Sequence, residues 1–327
     1  MKTFYSQKFA KYSPFFPILM LIILFVGHSL RTNLAIPAIT QSQIQLFSKF
    51  GFNSQFIIEH SKVFLGLEFW ASLLSIVIAF FLGMSLIGKT SGLFIAIFLG
   101  IYPYYVANTY TPQTITLLFF LLFLTFQLQA TINYSRVLSV FSGIFFTLSF
   151  ICNPVCLPLC LVIYIYQAIS AKNIAVLINF LLFTGGALFT YIVYALLATQ
   201  LPNSAAYMPS VAQTFSEFGR NFSIFINAPI DYLQSTILPL FTKRLAYPKT
   251  YSAALNSYNY LHYLAVFSAI FGLLYSLIES KARIITIIAV IVLIQAFFMT
   301  IDFGFLFFFV ILIGSYLIDK VFNDIFC

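Results

Sequence analysis

Long apolar runs follow one another along almost the whole 327-residue chain, and they limit what it can fold into. They are Pro14–Leu30, Val63–Ile87, Gly92–Val106, Pro112–Ala130, Val137–Ser170, Ile174–Thr199, Tyr260–Ile278, Ile284–Thr300 and Phe303–Ile318. A helix rises about 1.5 Å per residue, so about 20 apolar residues cross a bilayer core of about 30 Å. Charged residues make up only 7% of the chain, against about 25% in a soluble domain. Such a chain cannot cover a water-facing surface, which excludes a soluble enzyme, a nucleic-acid-binding protein and a disordered tail. The expected fold class is an all-α polytopic membrane protein, one integral membrane domain over residues 1–327.

The run Val137–Ser170 sets the number of passes, because it is broken at Asn153-Pro154 and again at Pro158. Proline has no N–H for the helical ladder and interrupts it. Read as one span, the run gives nine helices; read as a hairpin, ten. Lys/Arg accumulate in cytoplasmic loops, so Lys2, Lys8 and Lys11 put the N-terminus inside, with Lys89 and Arg136 following. The hairpin keeps Lys172, Lys281, Arg283 and Lys320 inside; the single span puts Lys172, Lys281 and Arg283 outside. The expectation is therefore about ten helices, with both termini cytoplasmic, in a plasma or inner membrane. The net charge of +8 is the excess this rule requires and implies no nucleic acid. His28, Arg31 and Asn33 follow the first run where a signal peptide would have a small-residue cleavage site, so that run reads as a retained anchor.

Two long stretches then fall on the outer side, Arg31–Lys62 and residues 200–258. Within the second, Pro229–Thr242 places Ile230, Leu233, Ile237 and Leu240 near helical spacing, as in a helix lying along a membrane surface. The chain divides into a helical module (1–199), an outer loop with amphipathic helices (200–258) and C-terminal helices (259–327).

Three passages have a familiar texture: FWASLLSIVIAFFLGMSLIGK at Phe69–Lys89, GLFIAIFLGIYPYYVANTYTPQTITLL at Gly92–Leu118 and GIFFTLSFICNPVCLPLCL at Gly143–Leu161. With the two outer stretches, they resemble the multispan glycosyltransferases of the GT-C class, such as protein O-mannosyltransferases and bacterial aminoarabinose transferases. The resemblance covers roughly residues 14–200. It implies a polyprenyl-phosphate-linked sugar donor in the membrane lipid and transfer on the outer, periplasmic side. In that class an Asp early in the first outer loop serves as base or metal ligand. Here His28, Arg31 and Asn33 stand at that place, and Asn153 replaces the Lys that often precedes the family's Pro. The departure admits a catalytically degenerate member acting as scaffold for a protein subunit partner. A small transporter or flippase ranks third. A divalent cation is compatible with the class, but the sequence offers no ligand set for one and the cofactor stays unknown.

Any carboxylate chemistry must draw on eight acids: Glu59, Glu68, Glu217, Asp231, Glu279, Asp302, Asp319 and Asp324. Glu59 and His60 are the acid–base pair of the first outer stretch, or else a solvated cluster with Lys62. Glu68 lies inside the second run, where an ionisable group is expensive and points to function; His28 is its expected partner. Asp231 reads as a helix cap, Asp302 as a turn residue, and Glu279, Asp319 and Asp324 fall inside. Arg220, Lys243, Arg244 and Lys249 could hold the donor phosphate, since Arg presents a fork that matches it; general attraction to headgroups is the alternative. Tyr102, Tyr104, Tyr105 and Tyr110 read first as an interfacial aromatic belt and second as sugar-stacking rings, with Tyr104 and Tyr105 the substrate-binding candidates. Cys152, Cys156 and Cys160 share a face if the helix continues, which reads first as packing and second as a thiolate metal site. Asn133 and Asn221 head chance glycosylation triplets, and Gly185-Gly186 suits close helix packing.

Overall fold

The computed structural model describes residues 15–154, 174–200, 211–237, 259–278 and 303–326, with Thr286, Ile287, Val290, Ile291, Ile294, Gln295 and Phe298. Among them there is no strand. The helices are α1 (Phe15–Thr32), α2 (Gln41–Lys49), α3 (Ser54–Glu59), α4 (Ser61–Leu86), α5 (Lys89–Ile101), α6 (Pro103–Ala107) and α7 (Pro112–Asn133). Then come α8 (Arg136–Cys152), α9 (Ile174–Thr199), α10 (Val211–Asn227), α11 (Pro229–Tyr232), α12 (Asn259–Ile278) and α13 (Phe303–Phe326). Ser61–Leu86, Pro112–Asn133 and Leu177–Thr199 are each long and apolar enough to cross a membrane.

Local chemistry sets the helix ends. The expected run Gly92–Val106 is two helices, because Pro103 has no N–H and Tyr102 before it is extended. α7 opens on Pro112 and stops at Tyr134, which adopts a left-handed conformation (φ 52). Ser135 then caps α8 by accepting from the Leu138 N–H at 3.5 Å. α8 ends at Cys152, and Asn153 is extended, so Cys152 does not continue on a shared helix face; Cys156 and Cys160 lie outside the described residues.

Side-chain contacts give the helix directions. Lys89 Nζ lies over the Phe16 ring (5.5 Å), Gln129 donates to Ser85 Oγ (2.7 Å), and Asp319 accepts from the Ser91 N–H (3.4 Å). These contacts gather the start of α1, the α4–α5 and α7–α8 turns and the end of α13 at one end of the bundle. The opposite end holds Arg31, Tyr104 and Phe305. α9 runs parallel to α8, since Asn179 reaches the end of α7 (Ala130 O, 3.3 Å) and Thr147 bonds Ala187 O (3.1 Å). α12 runs parallel to α13, with Ser268 against Gly314 and Tyr275 beside Tyr316 and Lys320.

Glycines mark the closest crossings. A Cβ on Gly92 would stand 2.6 Å from Phe80 O, and one on Gly186 2.5 Å from Val140 O; Gly143 abuts the α9 backbone at Phe183. Of the expected Gly185-Gly186 pair, only Gly186 makes a close approach; nothing lies within 4 Å of a Cβ at Gly185. Gly92→Val should separate α4 from α5 and destabilise the fold by about 1–3 kcal/mol, the usual cost of overpacking. A thermal melt in detergent measures this, and an unchanged melting temperature would contradict the crossing.

The core joins α5, α7 and α13 through Tyr102, Phe120, Phe123, Phe307, Phe308 and Phe309. Tyr102 and Tyr105 are buried in the protein, which corrects the aromatic-belt expectation for those two rings. α9 shows the opposite pattern, with Leu181, Leu188 and Leu196 exposed as expected of a lipid-facing helix. The first long polar stretch is not a loose loop. α2 and α3 fold back so that Leu46, Phe47 and Ile57 pack on Phe64 and Ala71 of α4 and on Ile115 and Leu118 of α7.

The second stretch differs from expectation. Its main amphipathic element is α10, whose Phe218, Phe222 and Phe225 surround Phe298 with ring centroids at 5.3, 5.4 and 5.6 Å. Asn221 Nδ2 donates to Phe298 O (3.0 Å). α11 is only four residues long and passes into a π-turn at Leu233–Ile237; the remainder of the Pro229–Thr242 segment lies outside the described residues.

Candidate functional site

Arg31 is the last-turn cation of α1 and is 1% exposed. Its Nε donates to Ser72 Oγ (2.7 Å), one terminal nitrogen to Gly27 O (3.0 Å) and Gly100 O (2.8 Å), and the other to Leu99 O (2.7 Å). Leu99 O would ordinarily accept from the N–H four residues on, but that residue is Pro103. The guanidinium supplies the donor that proline lacks and places positive charge at the negative end of α5. Gly27, one turn before Arg31, makes room for it, since a Cβ there would press on the guanidinium at 3.3 Å.

Glu68 lies one turn from Ser72 on α4, on the same face. It is fully buried. Its Oε2 accepts from Gln43 Nε2 at 2.5 Å, while Oε1 has no hydrogen-bond partner among the described residues. Gln43 belongs to the capping box that starts α2: its Oε1 accepts from Thr40 N (2.7 Å) and Thr40 Oγ1 (2.9 Å). Its Nε2 also donates to Tyr110 O (3.2 Å). The expected partner His28 instead packs edge-on to Phe69 at 5.7 Å. The imidazole is exposed and Glu68 is not, so the pair does not form.

Beside Arg31 and Ser72 is a cavity of about 30 Å³, lined also by Ser75, Tyr104, Asn108 and Thr114 among others; Glu68 and Gln43 are not among its lining residues. A volume of that size admits water. Tyr105 also lines it, and Tyr104 O accepts from Asn108 Nδ2 (2.8 Å).

The other candidates are dispersed. Glu59 and His60 are exposed: Glu59 accepts from Gln55 (2.9 Å), and His60 stacks on Phe56 at 4.2 Å. They do not join Glu68. Arg220 is exposed on α10. Lys243, Arg244 and Lys249 lie outside the described residues, as do Glu279, Asp302 and Lys172. Asp231 stands in the first turn of α11, where Ala228 is the N-cap, so it favours the helix by charge rather than as the cap itself. Asp319 is buried at the far end of the bundle, where its carboxylate meets Gly88 and the Ser91 N–H at the start of α5 and accepts from Asn323 (3.0 Å). No group of three or more His, Cys, Asp or Glu gathers among the described residues.

Sequence reasoning assigned no role to Arg31, Gln43 or Lys49. Lys49 Nζ donates to Ile151 O (3.1 Å) and Cys152 O (3.4 Å), closing the end of α8 at the Asn153-Pro154 break. Burial pushes the Lys49 ammonium below its ordinary value, with the Cys152 thiol acting in the opposite sense. Below the lowered value both folded and unfolded chains carry the proton, and the fold bears the desolvation cost. As pH rises through that value the folded chain releases the proton first, so this group's contribution improves until the unfolded lysine also titrates. The melting temperature should therefore gain from Lys49 over that alkaline window. The gain should vanish in Lys49→Met, and identical pH profiles for the two proteins would refute it.

No protein-family model, curated protein or solved structure matches this chain.

Proposed function

We propose that this is a GT-C-like membrane protein that handles a polyprenyl-phosphate-linked sugar at the Arg31 end of its bundle, with Glu68 as acid–base group. The observation behind this is the state of Glu68, a fully buried carboxylate beside the folded first outer stretch with one oxygen unpartnered among the described residues. Proton removal from an acceptor hydroxyl needs a carboxylate within hydrogen-bond reach. Glu59, exposed and bound to Gln55, is less suited to the task. In this reading Arg220, Lys243, Arg244 and Lys249 hold the donor phosphate, and Tyr104 and Tyr105 line the approach.

The helix directions support the ten-span arrangement with both termini inside. α8 and α9 run the same way, as do α12 and α13, in keeping with that count. Lys89, Arg136 and Lys320 then share the cytoplasmic end, in keeping with the positive-inside rule.

A second reading, a non-catalytic scaffold subunit, is favoured by Arg31. A locked guanidinium stands where the resembled class keeps its acid. The test is reconstitution in vesicles carrying a labelled polyprenyl-phosphate hexose. Transfer to an acceptor supports the enzyme. No turnover, with a stoichiometric membrane protein co-purifying, supports the scaffold.

A further inference from the structure

We propose that Gln43 is a positioning residue: the amide that starts α2 also holds Glu68 and determines which carboxylate oxygen is presented. This rests on the reading of Glu68 as the acid–base group.

The orientation of the Gln43 amide follows from its neighbours. Two donors from Thr40, the backbone N–H and Oγ1, converge on one amide atom, which must therefore be the oxygen. The amide nitrogen then faces two acceptors, Glu68 Oε2 and Tyr110 O. With both ends committed, the amide cannot turn over without setting donors against donors. Glu68 Oε2 is thereby occupied, and Oε1 is the oxygen left without a hydrogen-bond partner among the described residues. Gln43 on α2 donates both to Glu68 and to the Tyr110 carbonyl before α7, and one turn along α4 from Glu68 the α1 guanidinium of Arg31 is bonded to Ser72.

Glutamine is the residue this position requires. A capping box accepts Gln or Glu at this place, but Glu would set a second carboxylate against Glu68. An apolar residue would leave Oε2 without its donor. The first outer stretch is thus connected to the acid by one side chain, and the start of α2 and the aim of Glu68 are set together.

The experiment uses the full chain in vesicles and N,N′-dicyclohexylcarbodiimide as probe. The protonated carboxyl adds to the probe: its oxygen bonds to the carbodiimide carbon and its proton passes to nitrogen, and the adduct rearranges to a stable N-acylurea. Peptide mass spectrometry reads the labelled fraction of Glu68 against pH. Gln43→Leu should move the midpoint of labelling to higher pH by about one unit, because a donor to the charged form is lost. Gln43→Glu keeps an acceptor for Thr40, and so the start of α2, yet should move the midpoint at least as far through like charge. The exchange Gln43→Glu with Glu68→Gln restores one bond between the two side chains. It should recover the melting temperature while leaving position 68 unlabelled. Coincident midpoints for the native protein, Gln43→Leu and Gln43→Glu would overturn the proposal. Shifted midpoints in a protein that transfers no sugar would uphold Gln43's hold on Glu68 and refute the acid–base reading; transfer with unmoved midpoints would do the reverse.

Discussion

Glu68→Gln should abolish sugar transfer in vesicles and leave the protein folded. The amide has the volume of the carboxyl and can still accept from Gln43 through its oxygen, so the link between α2 and α4 survives. It cannot take up a proton, and removing a general base ordinarily lowers the rate by about 10²–10⁴-fold. Glu59→Gln is the control. Its side chain is exposed and bound within its own helix, and transfer should fall by less than about twofold. If Glu59→Gln abolished turnover and Glu68→Gln did not, the acid–base assignment would have to move to the exposed pair. If both variants turned over normally, neither carboxylate would be the base.

Arg31→Leu should be the most destabilising single change at this end of the molecule, costing about 2–4 kcal/mol in a denaturant titration of the detergent-solubilised protein. The apolar side chain fills part of the space but leaves the Leu99 and Gly100 carbonyls and the Ser72 hydroxyl without their donor. A buried carbonyl without a donor costs about 1–3 kcal/mol. Loss of a buried charge recovers some desolvation energy, which keeps the total below the sum of the bonds. Arg31→Lys should recover only part of the stability, because an ammonium cannot reproduce the planar fork that reaches α1, α4 and α5 at once. Adding Pro103→Ala to the Arg31→Leu variant should recover part as well, by returning an N–H to Leu99 O. A titration in which Arg31→Leu matches the native protein would show that these carbonyls find other donors.

The sequence was most informative where apolar length alone decides. The run Ile174–Thr199 is α9 residue for residue, and Val63–Ile87 differs from α4 by a residue or two at each end. Short helices in polar stretches were harder to see. α2, α3 and α10 lack the length that marks a span, although Thr40-x-x-Gln43 is a capping-box signature that could have placed the start of α2. Glu68 stood out because an acid within a span is costly. Its partner depended on how α2 folds back, which no local pattern encodes. Arg31 was given no role of its own because its acceptors are mostly backbone carbonyls, and these leave no trace in a sequence. The broken run was legible at Asn153-Pro154, where α8 ends as expected.

α5 has an unusual mechanical position. It has 13 residues, about 20 Å of helix, and each end is finished by a side chain from another part of the chain. Asp319 of α13 meets its first turn and Arg31 of α1 its last, each opposite in sign to the pole it faces. Axial travel of α5 in either direction would break one of these attachments. The same guanidinium holds Ser72 of α4, so α1, α4, α5 and α13 are tied into one body, and any opening at the Glu68 end falls to α2 and the turn before α7.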